Sequence, residues 1–88
     1  MLQQVSLEDE FLLYVGIAKS QVITAAEIYD LHIMKRRDTG FPCEQYEAIK
    51  ALDSLVKEGR LIRLFPEGVS PERAGMAQTY YTLSPQNR

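Results

Sequence analysis

Apolar positions recur at helical spacing along three stretches of the chain and then at strand spacing along two. Leu7, Phe11, Tyr14, Val15 and Ala18 share one face of a first helix starting near Leu7, while Leu12, Leu13 and Ile17 fall outside that stripe. A second helix opens at Thr24 and runs through Ile28, Leu31 and Met34 to Arg37. The third, over residues 44–58, gathers Ala48, Ile49, Leu52, Leu55 and Val56 on one face, with Cys43, Tyr46, Glu47, Lys50, Asp53, Ser54 and Lys57 opposite. Gly59 stops it. Residues 61–65 and 79–83 are rich in residues suited to a pleated, half-buried surface. Pro and Gly punctuate residues 66–78 between them and mark a long loop at a hairpin tip. The prediction is an α+β chain of three helices followed by a two-stranded hairpin, with a short third strand near Val22-Ile23.

Local signals place the helix ends. Ser6 with Asp9, and more cleanly Thr24 with Glu27, have capping-box spacing, and Glu8, Asp9 and Glu10 suit the positive end of the first helix dipole. The segment Asp38-Thr39-Gly40-Phe41-Pro42 is a turn, with Gly40 able to take a left-handed angle and Pro42 close to the start of the third helix. Adjacent Tyr80 and Tyr81 point to opposite sides of a strand, so at most one packs inward. Tyr29 is expected against the first helix. Residues 1–5 and 84–88 are expected to be loose ends of a single domain spanning 1–88.

With that order of elements the chain resembles the winged-helix superfamily and is similar to PadR-like regulators of bacteria and archaea. The resemblance is carried by Glu27-Ile28-Tyr29-Asp30, by Gly40-Phe41-Pro42, by the run from Tyr46 through Lys57-Glu58-Gly59-Arg60-Leu61-Ile62, and by Tyr80-Tyr81-Thr82-Leu83-Ser84. It implies sequence-selective binding of double-stranded DNA in transcription regulation, usually as a dimer. The third helix would enter the major groove and the 66–78 loop would lie as a wing along the backbone.

Charge narrows this expectation. Of 88 residues, ten are Lys or Arg and twelve Asp or Glu, for a formal net charge of -2, which weighs against an indiscriminate polyanion binder. Cations concentrate in the middle of the chain. Lys35, Arg36 and Arg37 either complement the negative end of the second helix or clamp a phosphate. Lys50, Lys57, Arg63 and Arg73 would neutralise further phosphates, while Gln45, Tyr46, Glu47 and Lys50 would face base edges. Five phosphate contacts would give a slope of roughly -4 to -5 in log affinity against log salt. Glu47 and Asp53 balance Lys50 and Lys57 on the third helix, and Arg73 faces Glu67 and Glu72 in the loop.

A protein-interaction module in a larger assembly is the alternative. The acidic balance favours it, as do Val69 and Met76, expected to be exposed in the loop. Leu13 and Ile17 are surplus to a small core; they either lie sandwiched within the fold or form a homodimer or partner contact. An enzyme is not expected: no Gly-rich phosphate loop or nucleophile set is present, and His32 has the setting of a structural or surface residue. One Cys and one His make no zinc set, so no metal or cofactor is expected. Cys43, near a helix N-terminus where a dipole lowers a thiol pKa, is a candidate redox switch or a plain small side chain. No apolar run suits a membrane span and no signal peptide is evident, so a cytoplasmic location is expected.

Overall fold

A computed structural model of the chain describes residues 6–36 and 40–85. Three helices, α1 (Leu7–Ile17), α2 (Ala25–Arg36) and α3 (Gln45–Lys57), pack with a sheet of β1 (Ile23–Thr24), β2 (Leu61–Leu64) and β3 (Tyr80–Leu83). The sheet is antiparallel throughout, in the order β1-β3-β2. Its short third strand thus lies beside β3, one residue later than expected, pairing Ile23 with Tyr81 and Thr24 with Tyr80.

Each helix end follows from its own residues. The Ser6 hydroxyl accepts from the Asp9 N–H at 3.1 Å, and the Thr24 hydroxyl accepts from the Glu27 N–H at 3.1 Å. Glu27 answers Thr24 by accepting from its hydroxyl and N–H, which completes a capping box. At α3, Glu47 accepts from the N–H of Glu44 at 3.2 Å. The helix stops at Gly59, whose φ of 76° is the left-handed conformation that glycine adopts without steric cost. The N–H of Arg60 donates to the Leu55 carbonyl and that of Gly59 to Val56, a Schellman closure that satisfies two terminal carbonyls.

Phe11, Ile28, Leu52 and Leu55 are fully enclosed, joined by Val15, Ala48, Leu61 and Tyr81. Tyr81 points inward and Tyr80 stays half-buried, as strand alternation requires. Ile49 departs from the expected α3 core face and remains exposed, because its helical angle turns it toward the β2–β3 loop. Met76 departs in the other direction. A 3-10 turn over Met76–Gln78 folds the loop back toward α2, so Met76 is packed against the core and Val69 is half-buried. Ser84 is not a loose end: it is buried, and its N–H extends the ladder to the Arg60 carbonyl at 3.1 Å.

The main surprise is Glu10. Expected as a dipole-compensating acid in the first turn, it is 1% exposed and accepts from the Tyr14 hydroxyl at 2.7 Å and from Arg36 at 3.3 Å. His32, 2% exposed, reaches the same carboxylate through Nδ1 at 2.7 Å. Its Nε2 lies 2.9 Å from the Cys43 N–H, which can only donate, so Nε2 accepts and the proton sits on Nδ1. Phe11 packs edge-on to the imidazole and Tyr29 stacks on it. The Tyr29 hydroxyl donates to the Cys43 carbonyl at 2.7 Å, and the residue packs against the core. α1, α2 and the start of the α3 segment are thus joined by one chain of hydrogen bonds.

Every neighbour of Glu10 donates, so only an ionised carboxylate satisfies all of them. Burial pushes its pKa up, but the Tyr14 and His32 hydrogen bonds and the charge of Arg36 outweigh burial and hold it below the ordinary 4.5. Burial, and then the same carboxylate, pushes the Tyr14 phenol up and keeps it a donor. Glu10→Ala, which strands these donors, is expected to cost about 3–5 kcal/mol in urea unfolding, a large share of a total of roughly 5–15. Because the folded-state carboxyl titrates below its unfolded value, its stabilisation is complete above the ordinary carboxylate range and is lost as pH falls through the lowered value. Wild-type stability should therefore fall more steeply than that of Glu10→Gln on acidification below pH of about 4. Parallel stability–pH curves for the two proteins would remove this linkage.

Candidate nucleic-acid interface

The inner face of α3 is held by Ala48, Ala51, Leu52 and Leu55, which leaves its outer face to solvent. Gln45, Tyr46, Glu47, Lys50 and Lys57 are exposed there, and Arg73 is exposed in the adjoining loop. Lys35 is exposed in the last turn of α2. These residues occupy one helix, the preceding helix end and one loop, with no described element covering the outer face of α3.

Two cations expected at this surface have internal partners. Arg36 turns inward to the buried Glu10 carboxylate, and its Nε is itself buried without a hydrogen-bond partner. Arg63 donates to Asp53 across the gap between β2 and α3, with its guanidinium carbon 5.7 Å from the centre of the Tyr81 ring. It therefore ties the sheet to α3. Arg37 lies outside the described residues. Glu47 has its own local task at the helix start, where its carboxylate caps the Glu44 N–H.

Between α3 and the loop runs a shallow cleft of about 320 Å³, lined among others by Ile49, Asp53, Arg63, Phe65, Met76 and Tyr81. Its wall mixes the apolar side chains of Ile49, Phe65 and Met76 with the Asp53–Arg63 pair and Thr79. Phe41 stands almost wholly in solvent ahead of α3, and Tyr46 is exposed on its first turn. The sequence pattern did not single out Phe41 or this cleft; the Gly40-Phe41-Pro42 turn, with an aromatic residue between two chain-redirecting ones, was the available signal. Leu13 and Ile17 on α1 are 55% and 65% exposed, outside the core rather than sandwiched within it.

Among the described residues no cluster of three or more His, Cys, Asp and Glu side chains has the arrangement of a metal site. No described helix is long and apolar enough to cross a membrane. The Cys43 environment is opposite to that of an activated thiol. Burial, then the charges of Glu47 and Glu10, push its pKa up, outweighing the backbone hydrogen bond and Arg36, which act the other way. Alkylation of Cys43 by iodoacetamide at neutral pH is expected to be slower in the folded protein than in urea; faster reaction in the folded protein would restore the redox-switch reading. Searches of protein-family models and of curated proteins find no match to this chain.

Proposed function

We propose that this chain is a winged-helix DNA-binding protein that acts in transcription regulation, with α3 as the major-groove helix and the loop between β2 and β3 as the wing. The observation that carries this reading is the uncovered outer face of α3, with Gln45, Tyr46, Lys50 and Lys57 all in solvent beside an exposed loop cation, Arg73. The order of three helices and a three-stranded antiparallel sheet supports it. In this reading Tyr46 and Lys50, one turn apart, face base edges, and Lys50 also neutralises a phosphate, as do Lys57 and Arg73.

The internal use of Arg36 and Arg63 lowers the expected phosphate count. With Lys35, Lys50, Lys57 and Arg73 as the contacts, log affinity for mixed-sequence duplex should fall against log salt with a slope of roughly -3 to -4. Lys50→Ala and Lys57→Ala should each weaken binding and reduce that slope by about one. Asp53→Asn removes an acid from the face and loosens Arg63, so it should strengthen binding. Fluorescence-anisotropy titration at low and near-physiological salt measures all three. Absence of binding by the wild type at low salt would count against the DNA reading.

A second reading, a winged-helix module that binds another protein without DNA, is favoured by a specific observation. The apolar part of the cleft beside α3, at Phe65 and Met76, and the exposed Phe41, Tyr46 and Ile49 put more apolar surface on this side than phosphate recognition uses. Under that reading Tyr46→Ala removes partner binding and Lys57→Ala leaves it nearly unchanged, the reverse of an electrostatic footprint.

A further inference from the structure

The His32 imidazole lies outside the candidate interface yet reaches the turn that leads into it. Both ring nitrogens are committed to partners of fixed polarity. Nδ1 faces the Glu10 carboxylate at 2.7 Å, which only accepts, and Nε2 faces the Cys43 N–H at 2.9 Å, which only donates. The neutral ring with its proton on Nδ1 satisfies both. Turning the ring over would set carbon atoms at both positions. Phe11 at its edge and Tyr29 on its face keep the ring, 2% exposed, away from water.

A second proton on this ring has one place to go. It takes the Nε2 lone pair and turns an acceptor into a donor that points at another donor 2.9 Å away. That contact must then open. The ring is held between Phe11 of α1 and Tyr29 of α2, and its Nδ1–H bond to Glu10 gains charge assistance, so the movement falls to the turn at Cys43. The surrounding groups bear on that proton unequally. From α1, the ionised Glu10 favours it, while the Tyr14 phenol stays neutral. From α2, the charge of Arg36 opposes it, and burial keeps the Tyr29 phenol neutral. From the turn and α3, burial keeps the Cys43 thiol neutral, and Glu44 and Glu47 add negative charge.

We propose that His32 is an acid-sensitive latch on the turn ahead of α3: a proton from solvent, taken up at Nε2, breaks the bond to the Cys43 N–H and loosens that turn from α2. The pairing of His32 with Glu10, and with it the packing of α1 on α2, stays in place. Two tethers limit the movement, because the Tyr29 hydroxyl still donates to the Cys43 carbonyl and the Gly40 N–H to the Arg36 carbonyl. The exposed Phe41 lies between those tethers and α3 follows directly, so the acid-sensitive segment is the one that presents the start of the candidate face. The latch stands independently of what that face binds.

The test is nuclear magnetic resonance of uniformly 15N-labelled, ligand-free protein, titrated from pH of about 8 down to about 5. His32 is the single histidine of the chain, so its ring signals are unambiguous. At the upper end the ring should show the tautomer with its proton on Nδ1. As Nε2 takes up its proton, the Cys43 amide should shift in step and its hydrogen exchange should speed up about tenfold beyond the intrinsic pH effect, the loss of one hydrogen bond. The amides of Val15 and Leu52 should keep their protection. In His32→Gln, whose side-chain carbonyl can accept from the same N–H without titrating, the Cys43 response should vanish. Tyr29→Phe, which lacks one of the remaining tethers, should enlarge it. A ring that titrates while the Cys43 amide stays unmoved overturns the proposal. So does a Cys43 response that persists in His32→Gln, or one that appears only when Val15 and Leu52 lose protection as well.

Discussion

The carboxylate of Glu10 is the constraint around which the helices are arranged. It sits among the side chains of Tyr14, His32 and Arg36 with almost no access to water, and an acid there is tolerated only because each oxygen is met by donors. His32 extends this demand outward. Its one remaining nitrogen must find a donor, and it does so in the N–H of Cys43, so satisfying a charge on α1 also settles where the chain must pass before α3 begins. The apolar core of Phe11, Ile28, Leu52 and Leu55 supplies the bulk of the driving force. The polar chain selects one helix arrangement from the several that such a core would permit.

The outer surface follows from what that arrangement consumes. Arg36 is drawn into the Glu10 site and Arg63 into the pairing with Asp53, so two of the cations closest to α3 serve the fold. Among the described residues of the candidate face, the remaining positive charge lies on the exposed Lys35, Lys50 and Lys57 and on Arg73 in the loop. Recognition by this face would rest on the shape and chemistry of Tyr46, Lys50 and the cleft wall at Ile49 more than on bulk attraction.

Features encoded within one turn of chain were legible in the sequence. The Thr24/Glu27 box, the third helix with its Gly59 stop, and the inward and outward tyrosines of β3 depend on partners a few residues away or on simple alternation, and the two hairpin strands were signalled by their own residue types. Glu10 was not legible, because an acid in the first turn also satisfies the helix dipole, and nothing nearby reveals a histidine 22 residues later waiting for it. Arg36 is hidden by the same ambiguity at the other end of a dipole. Ile49 and Met76 were misplaced for a related reason. Helical and loop patterns describe each element alone, whereas the folding of the loop toward α2 depends on tertiary contacts that neither pattern contains. For the candidate interface, the exposure of Tyr46, Lys50 and Lys57 was legible, and the capture of Arg36 and Arg63 was not.

The bond from His32 to Cys43 is made by main chain. Every amino acid except proline carries the same N–H, so the position of the turn ahead of α3 does not depend on which side chain occupies residue 43. The side chains of that turn, including the exposed Phe41, can drift through evolution while the path of the backbone stays fixed. A helix whose approach is set in this way is a stable mount on which a contact surface can be rewritten without rebuilding the core beneath it.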